Sequence, residues 1–167
     1  DAGDYVPLFG WTCKRGDGLS KDRYQKQERI FSACGGAALY RRSILDEIGY
    51  FEEAFFAYGE DVDLGWRGNI HGYKNIFNPK AKVYHICSAT TGGRYNAFKA
   101  IKSGQNTALL LWKNQPLLQL IINMPFILIG FLPKYLMFRH NGFDKELMEG
   151  TKNAFRMRKD IDKPKFR

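Results

Sequence analysis

The sequence predicts an α/β chain in two parts, and three observations carry that reading. Short β-prone runs alternate with short helical runs through the middle of the chain. From Asn96 onward the pattern is helical, and residues 115–133 form an uncharged, strongly apolar stretch. The expected division is therefore 1–95 for an α/β part and 96–167 for a helical part. At 167 residues the chain is long enough to bury one real core.

Residues 1–29 are polar and turn-rich, with Gly10, Gly16, Gly18 and a mixed-charge run from Lys21 to Arg29, so a loop or loose hairpin is expected. Residues 29–32 and 36–40 read as strand material. Arg42 to Ile48 reads as a short helix stopped by Gly49, and residues 60–71 as a helix stopped by Gly72. Asn75 to Phe77 and residues 82–86 then read as two more short strands. There is no internal repeat and no low-complexity segment.

The apolar run from Gln115 to Pro133 is 19 residues long, close to the roughly 20 that cross a bilayer. Pro116, Pro125, Pro133 and Gly130 are expected to interrupt a helix there, and Gln119 and Asn123 add polar cost. The preferred expectation is broken amphipathic helices lying in a membrane interface, ahead of a true span or a soluble packing unit. Trp112, Tyr135 and Phe138 would sit at headgroup depth.

Net charge is +9, and much of the excess lies after Lys134. A basic tail beside an apolar segment suits an anionic membrane surface or anionic substrates. Nucleic acid is not favoured, because zinc-finger spacing, RNP-like motifs and a helix-turn-helix pattern are all missing from the sequence. Cys13, Cys34 and Cys87 are odd in number and widely spaced, which gives no disulfide framework and points to a reducing cytoplasmic setting.

The most informative stretch runs from Tyr58 to Arg67. Glu60, Asp61 and Asp63 put three carboxylates within four positions, behind the aromatic run Phe55, Phe56 and Tyr58. Like charges so close repel one another, so a stretch that only had to fold gains little from them. Such a cluster can bind metal, hold a sugar hydroxyl or accept a proton. It can also simply cap a helix and complement its dipole.

The order of motifs around it narrows the choice. Ser-Ala-Cys-Gly-Gly-Ala-Ala-Leu-Tyr-Arg-Arg from Ser32 is followed by Phe-Phe-Ala-Tyr-Gly-Glu-Asp-Val-Asp-Leu-Gly-Trp-Arg from Phe55. His71-Gly72-Tyr73 and Asn78-Pro79 through Val83-Tyr84-His85 complete the series. Across residues 31–106 this closely resembles the second half of the catalytic domain of family 2 glycosyltransferases, especially rhamnosyltransferase-like enzymes of surface polysaccharide synthesis.

The resemblance implies part of a GT-A, Rossmann-like glycosyltransferase domain followed by membrane-associating helices. It implies an inverting transfer from a nucleotide-sugar donor to a lipid-linked or polysaccharide acceptor at the cytoplasmic face of the plasma membrane. The Asp of its Glu-Asp motif, the catalytic base, falls on Asp61, with Glu60 orienting acceptor or base and Asp63 as the second candidate. A base suits this step because the attacking hydroxyl must lose its proton. Gly35 and Gly36 match a turn lining the sugar pocket, where the bland reading is a tight turn.

His85 matches a ligand for a divalent metal, Mn²⁺ or Mg²⁺, whose main carboxylates come from an Asp-X-Asp motif. That motif does not precede Gly35 here, so a fragment without the nucleotide-binding half, inactive alone, is expected. Arg94 closes a hydroxyl- and glycine-rich loop that can grip a diphosphate leaving group, although a plain flexible loop reads as well. Trp66 and the Phe55–Phe56 pair can stack on a sugar or pack in a core. Arg67 is a candidate substrate contact with a competing local pair to Asp63, and His71 reads as a helix cap. The rival from another class is a non-catalytic membrane-binding module whose carboxylates are structural.

Overall fold

The computed structural model describes residues 1–84, 93 and 95–166. It is mixed α/β but mostly helical. Strands β1 (Asp4–Tyr5) and β2 (Cys13–Lys14) pair antiparallel, as do β3 (Glu28–Ile30) and β4 (Asn75–Phe77). Among the described residues both ladders are thus small and antiparallel, not a parallel Rossmann-like sheet. Helices α1 (Arg42–Ile48), α2 (Glu60–Ile70), α3 (Ala97–Asn114), α4 (Leu117–His140) and α5 (Asp144–Met157) supply the bulk.

Local signals explain most of these ends. Gly49 stops α1 at φ 86°, a backbone region other residues resist, and its amide bonds back to the Leu45 carbonyl. Asn96 opens α3 by accepting the Lys99 amide at 2.8 Å. The loose hairpin expected in residues 1–29 is confined to β1 and β2, with Asp4 opposite Lys14; a 3₁₀ turn at Lys21–Arg23 follows, and Glu28 and Arg29 already belong to β3.

Three expectations change. Residues 36–40 are not a strand: a 3₁₀ turn occupies Gly35–Ala37, and the extended chain after it finds no ladder partner. Residues 82–84 are likewise outside any strand, and the remainder of that expected element lies outside the described residues. Helix α4 continues through Pro125 and Pro133. Each proline forfeits one backbone bond, which leaves the other bonds of a 24-residue helix in place.

The core sits between α2, α3 and the C-terminal segment, where Phe55, Val62, Leu109, Leu110, Ala154 and Ile161 pack together. A smaller cluster of Ala100, Phe138 and Leu147 joins α3, α4 and α5. Helices α3 and α5 approach through glycine. A methyl at Gly104 would lie 2.1 Å from the Leu147 carbonyl oxygen, and one at Gly150 would lie 1.9 Å from that of Ile101. The outer side of α4 is left uncovered, exposing Leu118, Ile121, Ile122, Leu128, Ile129 and Leu132. It is long and apolar enough to cross a membrane. Its inner side is tethered by Lys134, whose Nζ donates to Ser103 O at 3.1 Å and Thr107 Oγ1 at 2.7 Å.

Candidate functional site

The acidic motif opens α2 as expected. Gly59, in the left-handed region at φ 95°, turns the chain into the helix, and Glu60, Asp61 and Asp63 lie in its first turn against the positive end of the dipole. The turn before it is pinned from α3: Asn106 Nδ2 donates to the carbonyls of Phe55, Ala57 and Tyr58 at 3.1, 2.6 and 2.7 Å.

Two residues predicted to share a site do meet. The Gly35 amide donates to Asp61 Oδ2 at 2.7 Å, while the Val62 amide donates to Oδ1 at 2.8 Å. The approach is close: a methyl at Gly35 would stand 3.3 Å from the Asp61 side chain, which would have to give by a few tenths of an ångström. Ser32 braces the same point: its Oγ donates to the Asp61 carbonyl at 2.8 Å, and its backbone exchanges two bonds with Asp4 at 2.9 and 3.1 Å. The Asp61 carboxylate is therefore held by two amides, each of its oxygens retaining a lone pair for a ligand. Gly36, one residue on, is exposed and makes no such contact.

Three further groups close around Asp61. Asp4 is buried at 6% exposure, and burial together with the Asp61 charge raises its carboxyl to about 6. Burial, then Asp61, also pushes up Glu60, whose Oε2 is buried without a hydrogen-bond partner among the described residues. The Tyr40 hydroxyl is likewise buried and unpartnered, and burial, followed by the charges of Asp61, Cys34, Glu60 and Asp4, raises it to about 12. Asp4 and Tyr40 were missed from sequence. Asp4 stands in a stretch without local motif, Tyr40 sits inside the motif of residues 32–42 with nothing to mark it as a site residue, and only folding carries either to Asp61.

Asp63 and Arg67, expected either as substrate contacts or as a local pair, do form the i, i+4 pair. Asp63 is fully buried, accepting from Arg67 Nε at 2.8 Å, Lys113 Nζ at 3.0 Å and Asn114 Nδ2 at 2.7 Å. Arg67 spends its other nitrogens on the carbonyls of Ile48, Gly49 and Tyr50 at 2.6, 2.9 and 2.6 Å, a cation on the C-terminus of α1. Both face inward because a helix turns about 100° per residue, which sets Asp63 well round the axis from Asp61. Lys113 also reaches Glu52 at 3.1 Å, so the cluster ties α1, α2 and α3 together.

Trp66 lies about 140° round α2 from Asp61. Its ring meets Phe31 edge-on at 5.3 Å, beside an open recess formed with Arg29, Ile30, Asn69 and Ile70, so it does not join the carboxylates. Phe55 is core and Phe56 is exposed. His71 takes the C-cap of α2, with Nδ1 2.9 Å from the Arg67 carbonyl oxygen. His85 and Arg94 lie outside the described residues.

The described residues do not fit the Mn²⁺ or Mg²⁺ site. Asp1, Asp4 and Cys34 bring one ligand atom each to within 4.8 Å of one another. Those hard cations want several oxygens, whereas this set offers a soft sulfur and a carboxyl pushed toward its neutral form.

No protein-family model and no solved structure matches the chain. Among curated proteins, the N-acetylglucosaminyl-diphospho-decaprenol L-rhamnosyltransferase of two Mycobacterium tuberculosis strains is 34% identical to it over 91 residues. That match relates the chain to a glycosyltransferase. It covers 54% of this chain and 28% of the relative, so the chain spans less than a third of the length of the proteins it matches.

Proposed function

We propose that this chain is the acceptor side of an inverting, family 2, GT-A-type glycosyltransferase that moves a hexosyl or rhamnosyl group from a nucleotide sugar to a lipid-linked or polysaccharide acceptor. The observation that carries the proposal is the Asp61 carboxylate, fixed by the Gly35 and Val62 amides with Glu60, Asp4 and Tyr40 around it. Asp61 takes the proton of the acceptor hydroxyl as its oxygen bonds to the anomeric carbon and the bond to the nucleoside diphosphate breaks. Glu60 orients that hydroxyl. The Mn²⁺ or Mg²⁺ expected with this chemistry takes its carboxylates from outside the described residues. The relative's name supports a lipid-diphosphate acceptor carrying N-acetylglucosamine, and rhamnose as the sugar moved.

The uncovered face of α4, with Arg139 and His140 at its end, supports a seat on the cytoplasmic surface of the plasma membrane. The same face favours the second reading, a membrane-binding module with structural carboxylates. The deciding experiment incubates the full-length protein with dTDP- and UDP-sugars, Mn²⁺ or Mg²⁺, and N-acetylglucosaminyl-diphospho-decaprenol in vesicles. Sugar transfer is expected. Vesicle binding that strengthens with anionic lipid and weakens in salt, with no transfer under any donor, selects the second reading.

A further inference from the structure

The turn that leads into the acidic motif is strained, and the strain displays an aromatic ring. Phe56 sits at φ 61° and ψ −54°, and the Ala57 amide on its far side bonds back to the Phe55 carbonyl at 2.7 Å. That is a γ-turn of the rare, strained hand, with a bulky residue at its centre. Tyr58, two residues on, also has positive φ, at 69°.

Such a backbone persists only where its surroundings over-determine it. Here they do: buried Asn106 holds the carbonyls on both sides, and Gln105 Nε2 holds the Ala54 carbonyl at 3.1 Å. The fold thus maintains an unfavourable turn that seats Phe55 in the core and leaves the ring at its centre unburied. The Phe56 side chain is 77% exposed.

Around that ring the surface is organised. Phe98 meets Phe56 edge-on with centroids 6.3 Å apart and Tyr58 at a tilt, also at 6.3 Å, and Lys102 Nζ lies over the Phe56 ring, 5.4 Å from its centroid. Aromatic faces take the apolar C–H face of a pyranose ring, and an ammonium beside them takes a phosphate oxygen. A sugar joined to a diphosphate presents those two features side by side.

We propose that Phe56, Tyr58, Phe98 and Lys102 form a platform for a glycosyl diphosphate acceptor, Phe56 stacking on its sugar and Lys102 pairing with its diphosphate. This rests on the reading of Asp61 as the base, five residues farther along the chain. The strained turn fixes the ring's position relative to the start of α2, so a bound sugar is held in register with the carboxylate instead of being gripped by a mobile side chain. Phe55, its neighbour, packs inward and anchors the same turn to the core.

The test uses the full-length protein with N-acetylglucosaminyl-diphospho-decaprenol as acceptor. Phe56→Gly relieves the backbone and removes the ring, so the melting temperature is expected to hold or rise while the acceptor KM rises roughly 10-fold, the scale of one aromatic contact. The donor KM should stay unchanged. Phe56→Trp should restore acceptor KM, and Lys102→Met should raise it for the diphosphate acceptor but not for one lacking phosphate. An acceptor KM within about twofold of wild type in Phe56→Gly, on the same scale of comparison, overturns the platform. So does a fall in vesicle binding with KM unmoved, which makes the ring a membrane contact. If wild type transfers no sugar at all, the reading of Asp61 falls and the platform falls with it.

Discussion

Helix α2 carries two acidic groups two residues apart and on different faces, and they are built in opposite ways. At its start, Asp61 lies with Asp4, Glu60 and Tyr40, where Glu60 Oε2 and the Tyr40 hydroxyl are buried without partners among the described residues. Behind it, Asp63 is fully enclosed and meets Arg67, Lys113 and Asn114. Burial without partners is costly, and burial with partners is stable chiefly while every partner stays. The inner region therefore reads as a structural clasp. The outer one holds groups that have no partner among the described residues.

The largest effect should come from breaking the clasp. Asp63→Ala strands Arg67 and Lys113 in the interior, and urea unfolding should show a loss of about 3–5 kcal/mol. An effect below about 1 kcal/mol would mean that solvent reaches those cations and that the two regions differ less than their geometry says. Asp61→Asn should do the reverse, lowering turnover of the full-length protein by roughly 10²-fold or more with little change in melting temperature. If turnover survives, the outer carboxylates are a helix cap.

About one turn beyond Asp61 on α2 stands Gly65, where a methyl would fall 2.3 Å from Ser32 Oγ and 2.9 Å from its Cα. Gly65→Ala should cost about 1–3 kcal/mol of stability and, by shifting the serine that braces Asp61, should lower turnover as well. Lost stability with turnover intact in the folded fraction would show that the Ser32 brace does not matter to the site.

The smallest effect sharpens the contrast through pH. The Asp4 carboxyl is raised from 3.8 to about 6 in the folded chain, so ionising it opposes folding. Asp4→Asn should match wild type near pH 3, gain on it from pH 4 to 6, and exceed it above that by of order 1 kcal/mol after solvent screening. Melting curves across that range check it. A variant less stable than wild type at pH 8 would mean that a donor holds Asp4, which would place it with the clasp.

How much of this was legible varies with distance along the chain. The limits of α1, the start of α2 and the strand at Asn75–Phe77 lie within a residue of the sequence reading, because caps and glycine stops act over a few neighbours. The same reading made residues 36–40 a strand, since β-prone composition cannot report whether an edge is free to receive them. It broke α4 at its prolines, since local propensity does not count the turns that survive on either side.

Within the site, Asp61, Glu60 and Gly35 were readable because their motifs are contiguous. Asp63 and Arg67 were readable as a pair at helical spacing, but their burial was not. It depends on Lys113 and Asn114 of α3, which no local rule joins to α2. Asp4, Tyr40 and the strained ring of Phe56 belong to tertiary structure altogether, because burial, charge and backbone strain there are set by segments distant in the chain. Residue type and spacing state which chemistry a stretch can perform. Only packing decides which of three neighbouring carboxylates is enclosed among cations and which is left facing outward.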